Sequence, residues 1–183
     1  DYKESEYYAR VSAQKLSSIR KKTAKVFSER VREEMSFLNM PIVQIVTQFE
    51  NTDFYEKGTD KVEFLISANP GEPPRPVAKI ASGGELSRMM LAIKTVLAST
   101  EDIDTLIFDE VDTGISGSAA QKVGLKLKEV SKSSQVLCVT HQAQLAALAD
   151  AHYLISKQVE DGRTFTQVKL LDFDGRKHEL ARI

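Results

Sequence analysis

The alternation of apolar and polar positions divides the chain into one long helical segment and a series of shorter strands and helices. Residues 5–38 contain neither proline nor glycine and are rich in Lys, Arg, Glu, Ser and Ala, which favours a single long helix. Its apolar residues form two loose stripes rather than a sustained heptad repeat, so the pattern alone does not show a coiled coil. The tripeptide Asn39-Met40-Pro41 ends the predicted helix, because proline cannot continue a helix and restricts the residue before it.

Two β-prone runs follow, residues 42–49 and 61–67, and they predict a hairpin whose strands are joined by a polar loop over residues 50–60. Four of the five prolines lie between residues 69 and 76. That segment is therefore expected to be a stiff, extended connector without regular structure.

The next segment begins with Ser82-Gly83-Gly84-Glu85 and predicts a helix with one apolar face, formed by Leu86, Met89, Met90, Ile93, Val96 and Leu97. Ser82 and Glu85 have the spacing of a capping box. The two glycines between them weaken the first turn by roughly 1 kcal/mol each relative to alanine. Paired glycines at a helix start leave backbone N–H groups open to another molecule, and the helix dipole favours an anion such as a phosphate there.

Two apolar runs end in chemically active side chains. Residues 105–108 predict a strand of a parallel sheet covered on both faces, and this strand ends at Asp109 and Glu110. Residues 135–140 predict a second buried strand, which ends at His141. Ligands bind at the carboxyl ends of such strands, and adjacent carboxylates there are typical of a magnesium–nucleotide site. The alternatives are that the two carboxylates only begin a loop and that His141 has a structural role.

The remaining residues complete an alternating α/β pattern. A helix capped by Ser116 or Ser118 is expected to run to about Val130, and a short helix follows at residues 142–149. Residues 151–158 and 164–171 predict a hairpin closed by an Asp-Gly turn at residues 160–163. The tail, residues 174–183, favours one last helical turn.

Composition adds little to this organisation. The 183 residues carry a net charge of -1, so the whole chain has no general attraction to nucleic acid or membranes. The basic residues between 15 and 32 suggest contact with a phosphate backbone, but a solvated helix face is the commoner explanation. The single cysteine, Cys138, excludes an internal disulfide and fits a reducing compartment. No apolar run approaches the length of a membrane span, and no signal peptide opens the chain. The chain starts at Asp1 within a predicted helix, which suggests a piece of a longer protein.

Four motifs together resemble those of ABC-type ATPases. SGGELSR at residues 82–88 resembles the signature motif, TLIFDE at 105–110 the Walker B strand, VDTGIS at 111–116 the D-loop, and VTHQ at 139–142 the switch-histidine loop. Within that superfamily the chain is similar to SMC-like DNA-repair proteins. The segments that carry this similarity are FENTDFYEKGTDKVEFLISANPGEPPRP, IASGGELSRMMLAIK, FDEVDTGISG and THQAQLAALAD. The resemblance covers nearly the whole chain and is weakest over residues 1–40.

The resemblance implies an α/β fold, namely the carboxyl-terminal lobe of an ABC/SMC-type P-loop ATPase head. Its sheet would be mostly parallel and flanked by helices, and a long amino-terminal helix would derive from a coiled coil. Residues 1–40 would be the end of the coiled-coil arm, and residues 41–183 would form the lobe. No G-x-x-x-x-G-K-[ST] phosphate-binding loop occurs in the 183 residues. The family places that loop in an amino-terminal lobe, so the chain alone is expected to be inactive.

The same resemblance implies a role for each motif residue, with ATP and Mg²⁺ as cofactors. Asp109 would orient the metal, Glu110 would be the general base, and His141 would contact the γ-phosphate. The remaining positions would serve the ATP held by a second head: Ser82, Gly83, Gly84 and Glu85 at the helix start, and Asp112 at the seam between the heads.

The resemblance implies three partners: a second head in an ATP-dependent homodimer, the amino-terminal lobe and DNA. It implies no membrane partner, and it implies a location in the bacterial cytoplasm, at the nucleoid.

Three alternatives remain from the sequence. An ABC transporter domain would need its own phosphate loop. Another SMC-like or ABC ATPase head would share the motifs. A non-catalytic scaffold with the same fold would have no reason to retain Asp109, Glu110 and His141.

Overall fold

A computed structural model describes residues 1–67, 71–79, 83–98, 100, 103–160 and 162–183. The chain divides into two compact units, Asp1–Ser99 and Thr100–Ile183, and each is described by itself. Among the described residues, no helix has the length and apolar character that crossing a membrane requires.

The first unit opens with the expected long helix, α1 (Tyr2–Phe37). The helix ends where the sequence indicated, because Asn39 adopts a left-handed backbone with φ of 63°. This turn lets the N–H of Met40 donate to the carbonyl of Met35 over 2.9 Å, which satisfies one of the last helical carbonyls.

An antiparallel hairpin follows, formed by β1 (Gln44–Tyr55) and β2 (Gly58–Ser67). The hairpin was expected, but the long polar loop over residues 50–60 was wrong, since both strands continue through it to a short turn. Most of the polar residues there, other than Asp60, stand on an exposed strand surface, and Glu50 pairs across the hairpin with Lys61 at 3.4 Å. Within the expected connector, β3 (Arg75–Pro76) adds a short antiparallel edge to β2.

Helix α1 packs along this hairpin and is held to it by aromatic and polar contacts. The rings of Phe27 and Phe64 lie 5.3 Å apart. Asp60 of β2 is almost fully buried, and its carboxylate accepts hydrogen bonds from Ser17 at 2.8 Å and Arg20 at 3.3 Å. The helix and hairpin therefore share one compact unit, while the assignment of residues 1–40 to a coiled-coil arm stays a prediction.

The second helix, α2 (Gly83–Leu97), completes the core of this unit. Its best-buried apolar residues are Met89, Leu91 and Ala92, and Val31 and Met35 of α1 are equally inaccessible. The helix was expected, but its buried face is rotated from the predicted stripe. Leu91 and Arg88 are buried, while Leu86 and Met90 remain partly accessible. Tertiary packing therefore buries a face of the helix that differs from the one the apolar spacing predicts.

The second unit is built on β4 (Thr105–Phe108) and β5 (Gln135–Cys138), which pair in parallel with Phe108 opposite Cys138. Helix α3 (Gly117–Val130) connects them, and α4 (Ala143–Ala146) follows β5. Ser116 is the residue before α3, but its side chain makes no capping hydrogen bond. Gly124 permits close packing of α3 on α4, because a Cβ there would lie 2.7 Å from Leu148 Cδ1.

One face of this parallel pair is covered and the other is open, which corrects the expectation of a strand covered on both faces. Phe108 is 5% exposed, whereas Ile107 on the opposite face is 71% exposed. Leu137 stands beside Ile107 in the parallel register and is also exposed. An apolar strand run therefore does not by itself show that both faces are covered within the same chain.

The chain closes with the expected hairpin, β6 (Tyr153–Glu160) and β7 (Arg163–Leu170), and with α5 (Phe173–Arg182). Gly162 in its turn has φ of 73°, while Asp161 lies outside the described residues. Helix α5 is longer than the single turn expected, and Asp172 caps it by accepting from the N–H of Gly175 over 2.8 Å. The α/β class with a long amino-terminal helix is confirmed, although parallel pairing is found only between β4 and β5 among the described strands.

Candidate functional site

Asp109 and Glu110 lie at the carboxyl edge of the parallel pair. The carbonyl of Phe108 accepts from the N–H of Val139 over 3.0 Å, so the chains leaving β4 and β5 start side by side. Both carboxylates are exposed, and Asp109 Oδ1 accepts a hydrogen bond from the N–H of Glu110 over 2.9 Å. This is the edge at which ligands bind in open α/β sheets.

Glu110 has a strained backbone. Its φ of 58° lies in the left-handed region, which costs roughly 1–2 kcal/mol for a residue with a Cβ. Glutamate is not a residue that enters this region readily, and backbone outliers of this kind cluster at functional sites. The chain therefore turns sharply at an exposed glutamate two residues after the last residue of β4.

The loop after Glu110 is made of two consecutive turns. The N–H of Thr113 donates to the carbonyl of Glu110 over 3.1 Å, and that of Ile115 donates to the carbonyl of Asp112 over 3.3 Å. These turns direct Val111 and Asp112 inward, where they are 0% and 2% exposed. A fully buried carboxylate requires hydrogen-bond donors around it.

Those donors come from the loop that follows β5. Asp112 Oδ2 accepts from the hydroxyl of Thr140 over 2.5 Å and from the N–H of His141 over 3.1 Å. His141 Nδ1 lies 3.4 Å from the same oxygen. The expected contact of Asp112 with ATP on a second head stays a prediction.

Gln142 forms a second bridge between the same two loops. Its side-chain Nε2 donates to the carbonyl of Ile115 over 3.2 Å and lies 3.4 Å from His141 Nε2. Its backbone N–H donates to the hydroxyl of Thr140 over 3.0 Å. The His141 side chain itself is 72% exposed, so the imidazole is held at its base and accessible at its tip.

Cys138 lies beneath this edge as the last residue of β5. Burial raises the pKa of its thiol to about 12, and the negative charges of Asp112 and Asp109 add to the shift. The thiol therefore stays protonated at neutral pH and is a poor nucleophile.

The carboxylates suit a magnesium ion that is shared with a phosphate ligand. Within the part of the chain that the structure describes, no group of three or more His, Cys, Asp or Glu side chains could hold a metal ion by itself. Mg²⁺ usually keeps several waters and is held by one or two carboxylates together with substrate phosphates. An exposed Asp109 beside Glu110 fits that arrangement and does not form a metal cage made of protein alone.

The glycine-rich helix start belongs to the first unit. Gly83 is exposed as the first residue of α2, Gly84 is buried, and Glu85 is partly exposed, while Ser82 lies outside the described residues. The role of this helix start in binding an anion stays a prediction.

The structure thus places Asp109, Glu110, Asp112 and His141 on two neighbouring loops of one unit, and Gly83, Gly84 and Glu85 in the other. Sequence reasoning gave no individual role to Thr140 or Gln142, although each makes hydrogen bonds between the loops. Both lie in the VTHQ motif, but that motif drew attention only to His141.

The class of protein follows from comparison with solved structures. The chain is similar to an Smc head domain with a coiled coil and joint from Pyrococcus yayanosii, with a TM-score of 0.63 and 20% identity over 91% of this chain and 30% of that one. It is also similar to an Smc head bound to the C-terminal domain of ScpA from Pyrococcus furiosus, with a TM-score of 0.58 and 22% identity over 90% of this chain and 38% of that one. The fold is that of an SMC-type head lobe.

Comparison of sequences finds more similar relatives. The chain is 43% identical to DNA repair protein RecN of Halalkalibacterium halodurans in an alignment 178 positions long, which covers 94% of this chain and 32% of that protein. It is 43% identical to DNA repair protein RecN of Bacillus subtilis in an alignment 189 positions long, gaps included, which covers 94% of this chain and 33% of that protein. No protein-family model matches the chain. The chain is therefore similar to RecN proteins over nearly its whole length, and it spans about one third of the length of these relatives.

Proposed function

We propose that this chain is the carboxyl-terminal lobe of the ATPase head of a RecN-type protein, and that the complete protein binds and hydrolyses ATP in DNA double-strand-break repair and recombination. The observation that carries the proposal is the edge of the β4–β5 pair. There, Asp109 and Glu110 follow β4, and His141 lies in the loop after β5. The Asp112 carboxylate links the two loops by accepting a hydrogen bond from the His141 N–H. Similarity to RecN proteins favours this reading over a transporter domain.

Asp109 and Glu110 have different roles in this site. Asp109 holds magnesium, directly or through water, and the ion when bound neutralises phosphate charge and orients the phosphate chain. Glu110 accepts a proton from the water whose oxygen adds to the γ-phosphorus, and the products are ADP and phosphate. This division is supported by the hydrogen bond that the Glu110 N–H donates to Asp109 and by the left-handed backbone at Glu110, which fix the chain between two exposed carboxylates.

His141 contacts the γ-phosphate from the neighbouring loop. Its imidazole is exposed at the tip and fixed at the base, which suits a side chain that detects a ligand without leaving its position. Hydrogen bonds to a charged phosphate oxygen are stronger than neutral ones, so one contact of this kind distinguishes ATP from ADP.

Two features support a companion lobe. The sequence has no phosphate-binding loop motif of its own. In addition, one face of the parallel pair leaves Ile107, Leu137 and Val139 exposed. Contiguous exposed apolar side chains of this kind mark surfaces that other protein segments cover. The amino-terminal lobe of the same protein, carrying the phosphate loop, is the proposed cover.

The start of α2 acts on a second head. Ser82, Gly83, Gly84 and Glu85 present open backbone N–H groups to the ATP bound there, so two heads close around two nucleotides and separate after hydrolysis. The RecN names of the relatives support DNA as the partner of the complete protein, and the bacterial cytoplasm at the nucleoid is the proposed location.

The shared site is tested with Ser82→Arg in the full-length protein. The added bulk and charge fill the anion position, so we expect normal ATP binding by calorimetry but no ATP-dependent dimer in sedimentation. Ser5→Arg, an exposed serine in α1, is the matched control and should dimerise normally. Persistence of the ATP-dependent dimer in Ser82→Arg contradicts the proposed action on a second head.

A further inference from the structure

We propose that Asp112 is a positioning residue for His141 of its own chain, where it fixes the loop and the orientation of the imidazole. The inference rests on the proposed function, because the orientation of His141 matters only at a site that holds a phosphate. It differs from the role that the sequence suggested for Asp112, which was contact with a nucleotide on a second head.

Asp112 holds the backbone at His141. Its Oδ2 accepts hydrogen bonds from the Thr140 hydroxyl at 2.5 Å and from the His141 N–H at 3.1 Å, and its side chain is buried, with 2% exposed. Charge-assisted hydrogen bonds in a buried position are strong, and a donor left without its acceptor there is costly. Asp112 thus fixes the main chain of His141 relative to the loop that follows Asp109 and Glu110.

The imidazole ring lies between two polar side chains. Gln142 Nε2 donates to the carbonyl of Ile115 and lies 3.4 Å from His141 Nε2. On the other side of the ring, His141 Nδ1 lies 3.4 Å from the Asp112 carboxylate. Asp112 and Gln142 therefore fix the orientation of the ring from two sides, while most of its surface stays accessible to a phosphate.

The Asp112 side chain is enclosed by residues of its own chain. It is 2% exposed, and three groups of the chain surround one of its oxygens, so the carboxylate is not accessible to a nucleotide on a second head. Asp112 can affect a bound phosphate only by positioning His141, whose side chain is 72% exposed. Asp112 therefore belongs to the same ATP site as His141, and not to the site on the opposite head.

The first test uses Asp112→Asn in the full-length protein. Asparagine keeps an oxygen for the Thr140 hydroxyl and the His141 N–H but removes the charge that faces Nδ1. We expect kcat for ATP hydrolysis to fall on the order of 10–100-fold, the usual cost of losing a partner that orients an active side chain, with KM for ATP little changed. In a His141→Ala background, the same substitution should cost no further turnover.

This double-mutant comparison separates positioning from general support of the fold. If Asp112 only held the two loops together, its substitution would lower turnover equally with and without the imidazole, and that additive result overturns the proposal. Thr140→Val is the matched control, since it removes one donor to Asp112 but keeps the charge beside Nδ1. It should affect kcat less than Asp112→Asn does, and an equal loss also counts against a role through His141.

The second test uses mixed dimers in which the two heads carry different substitutions and are isolated by two affinity tags. In the first arrangement, Asp112→Asn and His141→Ala lie in the same head and the other head is wild type. If Asp112 acts within its own head, both lesions fall on one site and the other site keeps its ATP turnover, which supports the proposal. In the second arrangement, the two substitutions lie in different heads. Turnover that is higher in the second arrangement than in the first shows that Asp112 acts on the opposite head, which overturns the proposal.

Dimers with His141→Ala in both heads distinguish failure of this inference from failure of the proposed function. They should lose most of their ATP turnover if His141 contacts the γ-phosphate. If they do, a negative result with Asp112→Asn overturns only the role of Asp112. Turnover at the wild-type rate in His141→Ala overturns the proposed role of His141, and the role of Asp112 with it.

Discussion

The backbone N–H of Glu110 donates a 2.9 Å hydrogen bond to Asp109 Oδ1, and the φ of 58° at Glu110 turns the chain at the same point. The donor is a main-chain group, so the bond does not depend on the side chain at position 110. Asparagine at position 109 would keep an oxygen as acceptor. The charges of the two residues can therefore be removed one at a time while the local turn is retained.

Glu110→Gln in the full-length protein should abolish most hydrolysis and preserve ATP binding. Glutamine keeps the shape of the side chain but cannot take the proton of the attacking water. Turnover should fall by roughly 10²–10⁴-fold, the usual contribution of a positioned acid or base. The heads should still bind ATP, close and remain closed, which sedimentation with ATP measures. Hydrolysis at the wild-type rate would show that Glu110 is not the base.

Asp109→Asn should fail at an earlier step. Loss of this carboxylate weakens magnesium binding, and closure of the heads depends on the magnesium–ATP complex. The lifetime of the ATP-dependent dimer should therefore be shorter than in Glu110→Gln, and excess magnesium should lengthen it. Asp53→Asn, on an exposed stretch of β1, is the matched control and should behave as wild type. Equal failure of both variants at closure contradicts the separate roles of Asp109 and Glu110.

The isolated chain, residues 1–183, should bind ATP weakly, hydrolyse none and remain monomeric with or without nucleotide. It contains carboxylates but no G-x-x-x-x-G-K-[ST] loop to hold the phosphates. Calorimetry tests binding, and tight association would contradict the expectation. Sedimentation tests the oligomeric state, and a stable dimer without nucleotide would show that contact between chains does not require bound ATP.

Asp60 should be the most sensitive polar position at the contact between α1 and the hairpin. Asp60→Ala removes the acceptor for Ser17 and Arg20 and leaves a partly buried guanidinium without its carboxylate. We expect a loss of about 2–3 kcal/mol in the free energy of unfolding, measured by urea titration with circular dichroism. Ser17→Ala should cost about 1 kcal/mol, the value of a single hydrogen bond. A change at Asp60 no larger than that at the exposed Asp53 would mean that this contact contributes little.

Local patterns predicted the elements of the fold well where one rule governed the outcome. The apolar run 105–108 became β4 with the expected bounds, and Asn39 ended α1 near the expected residue. The hairpin loop was wrong because polar residues at 50–60 were taken as loop formers, whereas an exposed strand also carries them. The face of α2 was misplaced because the packing that buries Arg88 and Leu91 is not encoded in apolar spacing alone.

The motifs located the candidate site, but its internal connections required the structure. Asp109, Glu110 and His141 could be selected because each follows a buried-type strand. The hydrogen bond from Thr140 to Asp112 joins residues 28 positions apart, and it depends on the parallel register of β4 and β5. The left-handed backbone of Glu110 also left no mark in the sequence, since glutamate is not enriched in that region.

Cys138 should make the stability of the chain fall at alkaline pH. Its pKa is raised from 9.0 to about 12, first by burial and then by Asp112 and Asp109. Between about pH 9 and 12, the unfolded chain has lost the thiol proton while the folded chain retains it. The folded state then binds more protons than the unfolded state, so the free energy of unfolding decreases as pH rises through this window and is unaffected by the thiol below it.

The comparison of wild type with Cys138→Ala isolates this contribution from the lysines and tyrosines that titrate in the same range. Urea midpoints should decline more steeply with pH in wild type than in the variant, and the two slopes should agree at neutral pH. Asp112→Asn, in a chain that keeps Cys138, should reduce the extra slope, because it removes one of the charges that raise the thiol pKa. Parallel pH profiles for wild type and Cys138→Ala would show that the thiol is not shifted by its surroundings.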